Sequence, residues 1–261
     1  MKRIFKALLE AMEYREVLSN LISTTLAMRY KNSTLGFLWS FLNPLFTMIV
    51  TAVVFSMLFR FKIENYALFI FSGLLPWGFI VTSVTMGSAS IITAESYIKK
   101  VYLPKIIFPM QVIGSELINF GLSILVLYFI GAFIGIKISV ATLFLPIALV
   151  NLILFSFGLS LISAVATVFF RDMTHIVTIT TNAMFYLCPV IYPMSMVPKE
   201  YQHFYDWNPV VYLLKIFRSA IYHHEAPTLS ELGIAFGISF ITCLIGLVVF
   251  IKAEKKLIYR L

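Results

Sequence analysis

From Leu35 to Phe59 the chain carries no charged side chain. As a helix, those twenty-five residues would extend about 37 Å, enough to cross a hydrocarbon layer about 30 Å thick. Just before the run stand Arg29, Tyr30 and Lys31, then the polar cluster Asn32-Ser33-Thr34. A water-facing segment therefore becomes a membrane segment within a few residues, and the cations on its near side fix which way the chain enters. Asn43-Pro44 lies inside the run, a helix-bending pair that a soluble helix rarely tolerates.

The rest of the chain repeats this pattern. Of 261 residues, 60% are hydrophobic and only 12% charged, with a mean hydropathy of +0.94. Soluble domains are nearer a quarter charged, so the composition is that of an integral membrane protein. The spans leave little for a separate soluble domain. Residues 1–261 therefore read as one membrane domain: a cytoplasmic amphipathic helix and approach over 1–34, six spans over 35–251 and a cytoplasmic tail over 252–261.

The net charge of +8 fits flanks that face anionic lipid and partner subunits, not nucleic acid. Cys188 and Cys243 both fall in apolar runs and read as small buried hydrophobes, not a disulfide or metal pair. Lys6 and Glu10 interrupt the segment where a signal peptide needs an unbroken apolar core, so no cleaved signal is expected.

Residues 4 to about 27 are amphipathic. Ile4, Leu8, Ala11, Leu18 and Ile22 recur at helical spacing, with Lys6, Glu10 and Glu13 on another face. The pattern predicts a helix lying in the cytoplasmic interface, or else a solvated helix packed on a partner. All-α spans follow at about 35–59, 68–92, 106–134, 143–170, 176–191 and 232–251. An even count places both termini on one side. With that side cytoplasmic, fourteen of the twenty Lys and Arg residues lie inside and six outside. The positive-inside rule favours this orientation.

The connection between the fifth and sixth spans, about 193–231, is long and aromatic. Asn208-Pro209 can cap and begin a helix running to about Tyr222, too short to cross. Lys215 and Arg218 would share one of its faces. The segment reads as a re-entrant pair of half-helices, with 201–207 as the other limb, or as an interfacial helix lying flat.

Several chemistries are missing. No G-x-x-x-x-G-K-[ST] loop is present to cradle ATP, and no H-E-x-x-H or C-x-x-C to hold a metal. Metal ligands: none are expected, since the neighbours His223 and His224 would face apart on a helix or strand. Glu116 is the one acid well inside a span, a candidate functional group or a structural one hydrogen-bonded by Ser115 and Asn119.

The two short cytoplasmic loops are densely marked. Glu95, Tyr97, Lys99, Lys100 and Tyr102 fit a two-turn helix over 95–102 that Pro104 stops. Phe169, Phe170, Arg171 and Asp172 form the tip of the other loop. Short charged-aromatic elements suit docking to a partner that pushes on the spans; topology anchoring is the alternative. The aromatic share of 16% supplies interface belts and core, and in a transporter a surface on which sugar rings slide.

Read in order, these segments resemble a family. Arg29-Tyr30-Lys31, Leu35-Gly36-Phe37-Leu38-Trp39 and Leu42-Asn43-Pro44-Leu45 look like the approach to the first span in permeases of type-2 ABC exporters. The similarity is to the branch exporting O-antigen, capsular polysaccharide and teichoic acid. Ser72-Gly73-Leu74-Leu75-Pro76-Trp77, Val101-Tyr102-Leu103-Pro104-Lys105, Phe169-Phe170-Arg171-Asp172, Pro189-Val190-Ile191-Tyr192-Pro193 and Asn208-Pro209 continue it over nearly the whole chain.

The resemblance implies a six-span permease that works as a homodimer in the inner membrane. Each copy would pair with a separate ABC ATPase subunit that holds ATP and Mg; this chain would hold no cofactor. Glu95, Tyr97, Lys99, Lys100, Tyr102, Arg171 and Asp172 would then lie at or near the ATPase. Phe37, Trp39, Tyr186 and Tyr192 would be candidates to line the path of a lipid-linked polysaccharide. Arg29 and Tyr30 would meet the diphosphate of the lipid carrier, or Arg29 would be a snorkelling anchor. The rivals are a permease of the drug- or lipid-exporting branch and a membrane-embedded lipid-sugar transferase. The latter needs clustered acids or histidines where the spans supply only Glu116.

Overall fold

The computed structural model describes residues 2–29, 31, 33–58, 66–134 and 139–260. Tyr30, the link 60–65 and Lys137 lie outside the described residues, as does the side chain of Phe37. Within the described residues the fold is all helix. α1 (Lys2–Glu13), α2 (Arg15–Arg29) and α3 (Trp39–Leu58) lead to the long α4 (Tyr66–Thr93). The short α5 (Glu95–Lys100) precedes α6 (Ile107–Ile134), α7 (Leu145–Phe169) and α8 (Met173–Leu187). Then come α9 (Lys199–Asp206), α10 (Pro209–Arg218) and α11 (Leu229–Leu257).

Four of these, α4, α6, α7 and α11, belong to stretches long and apolar enough to cross a membrane. They match the second, third, fourth and sixth predicted spans. α3 has twenty residues, and its described apolar stretch covers Phe41–Thr51. α8 starts and stops earlier than the predicted 176–191. Its fifteen residues rise only about 22 Å. Cys188 already has extended backbone, as the residue before a proline is driven to be.

The core is built on α4, α7 and α11. α7 and α11 nearly touch backbone to backbone: a Cβ on Gly158 would lie 2.4 Å from the Thr242 carbonyl oxygen. A Cβ on Gly246 would lie equally close to the Gly158 carbonyl. Without a hydrophobic drive between helices in lipid, such small-residue crossings let dispersion forces hold them together. On another side of α4, a chain of aromatic edges joins three helices. The rings of Phe79 and Phe120 are 5.7 Å apart, and those of Phe120 and Phe217 are 5.8 Å apart.

The N-terminal segment is two helices, not the single one expected over 4–27. The break falls at the half-buried Tyr14. α1 packs on the end of α11 and buries Ala11. α2 packs along the first half of α6, where Ile22 meets Gly114 and Gln111 donates a hydrogen bond to the Thr25 hydroxyl. Thr25 thus finds a polar partner on α6.

Between α8 and α11 the chain turns twice. Asn208 caps α10 as expected, its side chain accepting from Val210 N–H at 3.0 Å. α10 buries Leu213, Leu214, Ile216, Phe217 and Arg218 among α4, α7 and α11. A π-helical turn, Ser219–His223, follows and ends at His224 in the left-handed region. A capping box of Thr228 and Glu231 starts α11.

Candidate functional site

α4 runs the length of the bundle, so α5 at its C-terminus and Phe69 in its first turn mark opposite ends. At the α5 end the two marked loops come together. Lys99 donates to Glu95 at 2.5 Å, one helical turn apart. That hydrogen bond and charge hold the Glu95 carboxyl below the ordinary carboxylate range, and Arg171 on the other loop adds a smaller pull. Tyr102 donates to Glu10 of α1 at 3.0 Å, which raises the phenol's pKa. Arg260, just past α11, lies over the Phe169 ring.

The α5 helix is shorter than the expected 95–102, because Val101 has already turned extended. What this end presents to solvent is unusual for its size. Tyr97, Tyr102 and Phe170 are 53%, 75% and 70% exposed, beside exposed Lys99, Lys100, Arg171 and Asp172. Exposed aromatics rimmed by charges of both signs suit a protein partner.

Glu116 has a partner that sequence reading treated separately. Arg29, the last residue of α2, makes an ion pair and hydrogen bond with it. Asn119 also donates to the carboxylate, at 3.4 Å, as expected. Ser115 does not; its hydroxyl donates to the Gln111 carbonyl one turn back, which its helical backbone makes the nearer acceptor. Glu116, Asn119, Ser123 and Thr82 line a cavity of about 130 Å³ between α4 and α6.

The aromatic candidates fall into two places. Trp39, half-buried at the start of α3, donates its indole N–H to Ser33 at 3.1 Å. Tyr186 and Tyr192 lie together at the far end of α8. The Tyr192 hydroxyl donates to the Tyr186 carbonyl at 2.8 Å and meets the Tyr205 hydroxyl at 3.0 Å. Tyr186 is 70% exposed. α3 and α8 also leave rows of large apolar side chains uncovered, Phe46, Ile49 and Val50 on one, Ile176, Ile179 and Leu187 on the other.

Arg218 is the buried cation of α10. Lys215 and Arg218, three residues apart on α10, differ in burial: Lys215 is exposed and paired with Glu231 at 2.7 Å, while Arg218 is 7% exposed. The Arg218 guanidinium sits 4.1 Å from the Phe69 ring centroid and donates to the Val190 carbonyl at 2.6 Å. Gly73 makes this possible, since a Cβ there would lie 3.0 Å from the Arg218 Nη2. The only hint in the sequence was a cation three residues after another on a helix otherwise apolar. Both cysteines are free and buried, and Asn208 donates to the Cys188 sulfur at 3.2 Å.

The arrangement offers an exposed aromatic and charged end and a polar cavity at an ion pair. Residues 16–222 match the family described as ABC-2 type transporter. An O-antigen export system permease protein of Myxococcus xanthus is 34% identical over 84% of this chain and 85% of its own length. A protein of the same description from Klebsiella pneumoniae is 29% identical over 88% and 89%. A polysialic acid transport protein of Escherichia coli is 24% identical over 88% and 90%.

Proposed function

The chain belongs to the ABC-2 type transporter family, and we propose how it works there. It is the transmembrane permease subunit of a polysaccharide exporter, a multi-pass membrane protein and not itself an enzyme. Its cargo is an O-antigen-like glycan on a lipid carrier, moved from the cytoplasmic to the outer face of the inner membrane. Two copies form the path, and each receives its driving force from a separate ABC ATPase subunit.

The observation that carries this reading is the α5 end of the fold. Exposed Tyr97, Tyr102 and Phe170 surround the Glu95–Lys99 pair and Arg171, a surface without a covering element in the described chain. ATP-driven closure of the ATPases pushes here. Both termini lie on the same, cytoplasmic side. That orientation rests on the excess of Lys and Arg in these segments.

α3 and α8 supply the first and fifth crossings. Their uncovered apolar rows suit a second copy and the moving lipid. Trp39, Phe37, Tyr186 and Tyr192 line the path, and Arg29 with Tyr30 stands at its inner end. α9 and α10 form the re-entrant pair on the outer side, a reading that the burial of α10 among three spanning helices favours over an interfacial helix.

The test is co-purification with a candidate ABC ATPase subunit from the same organism. A complex of two permease and two ATPase subunits, with ATPase activity that Tyr102→Ala lowers, is expected. A permease that stays monomeric and fails to bind the ATPase would rule the reading out.

A further inference from the structure

At the end of the fold opposite α5, a cavity of about 420 Å³ opens between the first turn of α4, the turn after α8 and α10. Arg218 lines it, together with Lys215, Ser219, His223 and Ser195. Arg218 is 7% exposed, and its Nε has no hydrogen-bond partner. Among the described residues no carboxylate pairs with it. Its neighbours are a carbonyl and an aromatic face, each carrying only partial negative charge.

A buried cation left with an unused donor is costly unless an anion completes it. The guanidinium fork matches phosphate oxygens, and the Ser195 and Ser219 hydroxyls and His223 add further donors around the same space. The remaining walls, Pro189, Pro193, Met194 and Val211, are apolar. They suit the glycerol and first methylenes that follow a headgroup. We propose that this cavity binds the phosphate of a membrane lipid headgroup through Arg218. The bound lipid completes the buried charge and ties α10 to the surrounding bilayer. This holds whichever side of the membrane the cavity faces and whatever cargo the transporter carries.

The full chain, extracted in non-ionic detergent and stripped of lipid, is titrated with phosphatidylglycerol, with diacylglycerol of the same chains and with inorganic phosphate, and adducts are read by native mass spectrometry. One phosphatidylglycerol per chain is retained, and diacylglycerol is not. Arg218→Gln weakens retention by about tenfold, the loss of a charge-assisted bond. Ser195→Trp keeps the Arg218–Val190 bond but fills the cavity mouth, and it has the same effect even where Arg218→Gln fails to fold. Equal retention of phosphatidylglycerol and diacylglycerol, or full retention by Ser195→Trp, overturns the site. Displacement of the lipid by inorganic phosphate keeps the phosphate site but overturns its assignment to a lipid.

Discussion

Arg29 at the end of α2 and Glu116 inside α6, 87 positions apart in sequence, form one ion pair. It fastens the N-terminal helices to the spanning bundle at the depth of the 130 Å³ polar cavity. Arg29 therefore has a structural partner in addition to its proposed place at the inner end of the path. A carboxylate that looks isolated along the sequence is compensated from a helix outside the predicted spans.

Removing one partner leaves the other charge buried. The Glu116 side chain is 8% exposed and that of Arg29 28%. Arg29→Ala should therefore cost about 2–3 kcal/mol, somewhat under the loss for a fully buried pair. The exchange Arg29→Glu with Glu116→Arg should recover part of it. Thermal unfolding in detergent checks this, and an exchange no better than the single variants would remove the pair from the stability account.

Charge reversal at Arg171 or Glu95 should disturb coupling and leave insertion intact. Arg171→Glu places two acids side by side at the α5 end. Export and ATPase stimulation should fall about tenfold, as for a lost charge contact at a protein interface. Unchanged export at normal membrane abundance would free these loops from the coupling role.

Trp39→Ala should slow polysaccharide export much more than it reduces assembly of the proposed dimer. Ser33→Ala is its control, since it removes the 3.1 Å indole hydrogen bond and leaves the ring. If Ser33→Ala slows export equally, the tryptophan positions the turn before α3 and does not face the cargo.

Gly158→Val should drive α7 and α11 apart, because even a Cβ would overlap the Thr242 carbonyl. Overpacking of this kind costs about 1–3 kcal/mol. A lower midpoint of thermal unfolding is expected, whereas an unchanged one would mean that the helices do not cross this closely.

The long helices were legible because hydropathy over about 20 residues is a property of local sequence. α4, α6 and α7 lie within three residues of their predicted bounds, and α11 runs six residues past its predicted end. Asn208-Pro209 marked the start of α10 for an equally local reason, a side-chain cap and a preset proline. The rest depended on partners far away in sequence. Nothing around Arg29 announces Glu116, and nothing around Arg218 announces its burial against Gly73 and the Val190 carbonyl. The break at Tyr14 and the early end of α8 arise likewise from packing and from a single Cys-Pro step, which an average over many residues smooths away.

The most direct measurement follows the polysaccharide itself. Cells lacking this chain, but otherwise unchanged, are assayed for surface polysaccharide and for lipid-linked polymer retained inside. Surface polymer should disappear, lipid-linked polymer should accumulate on the cytoplasmic face, and the wild-type chain should restore export. Unchanged surface polysaccharide in those cells, with no internal accumulation, would contradict its role as a polysaccharide-export permease.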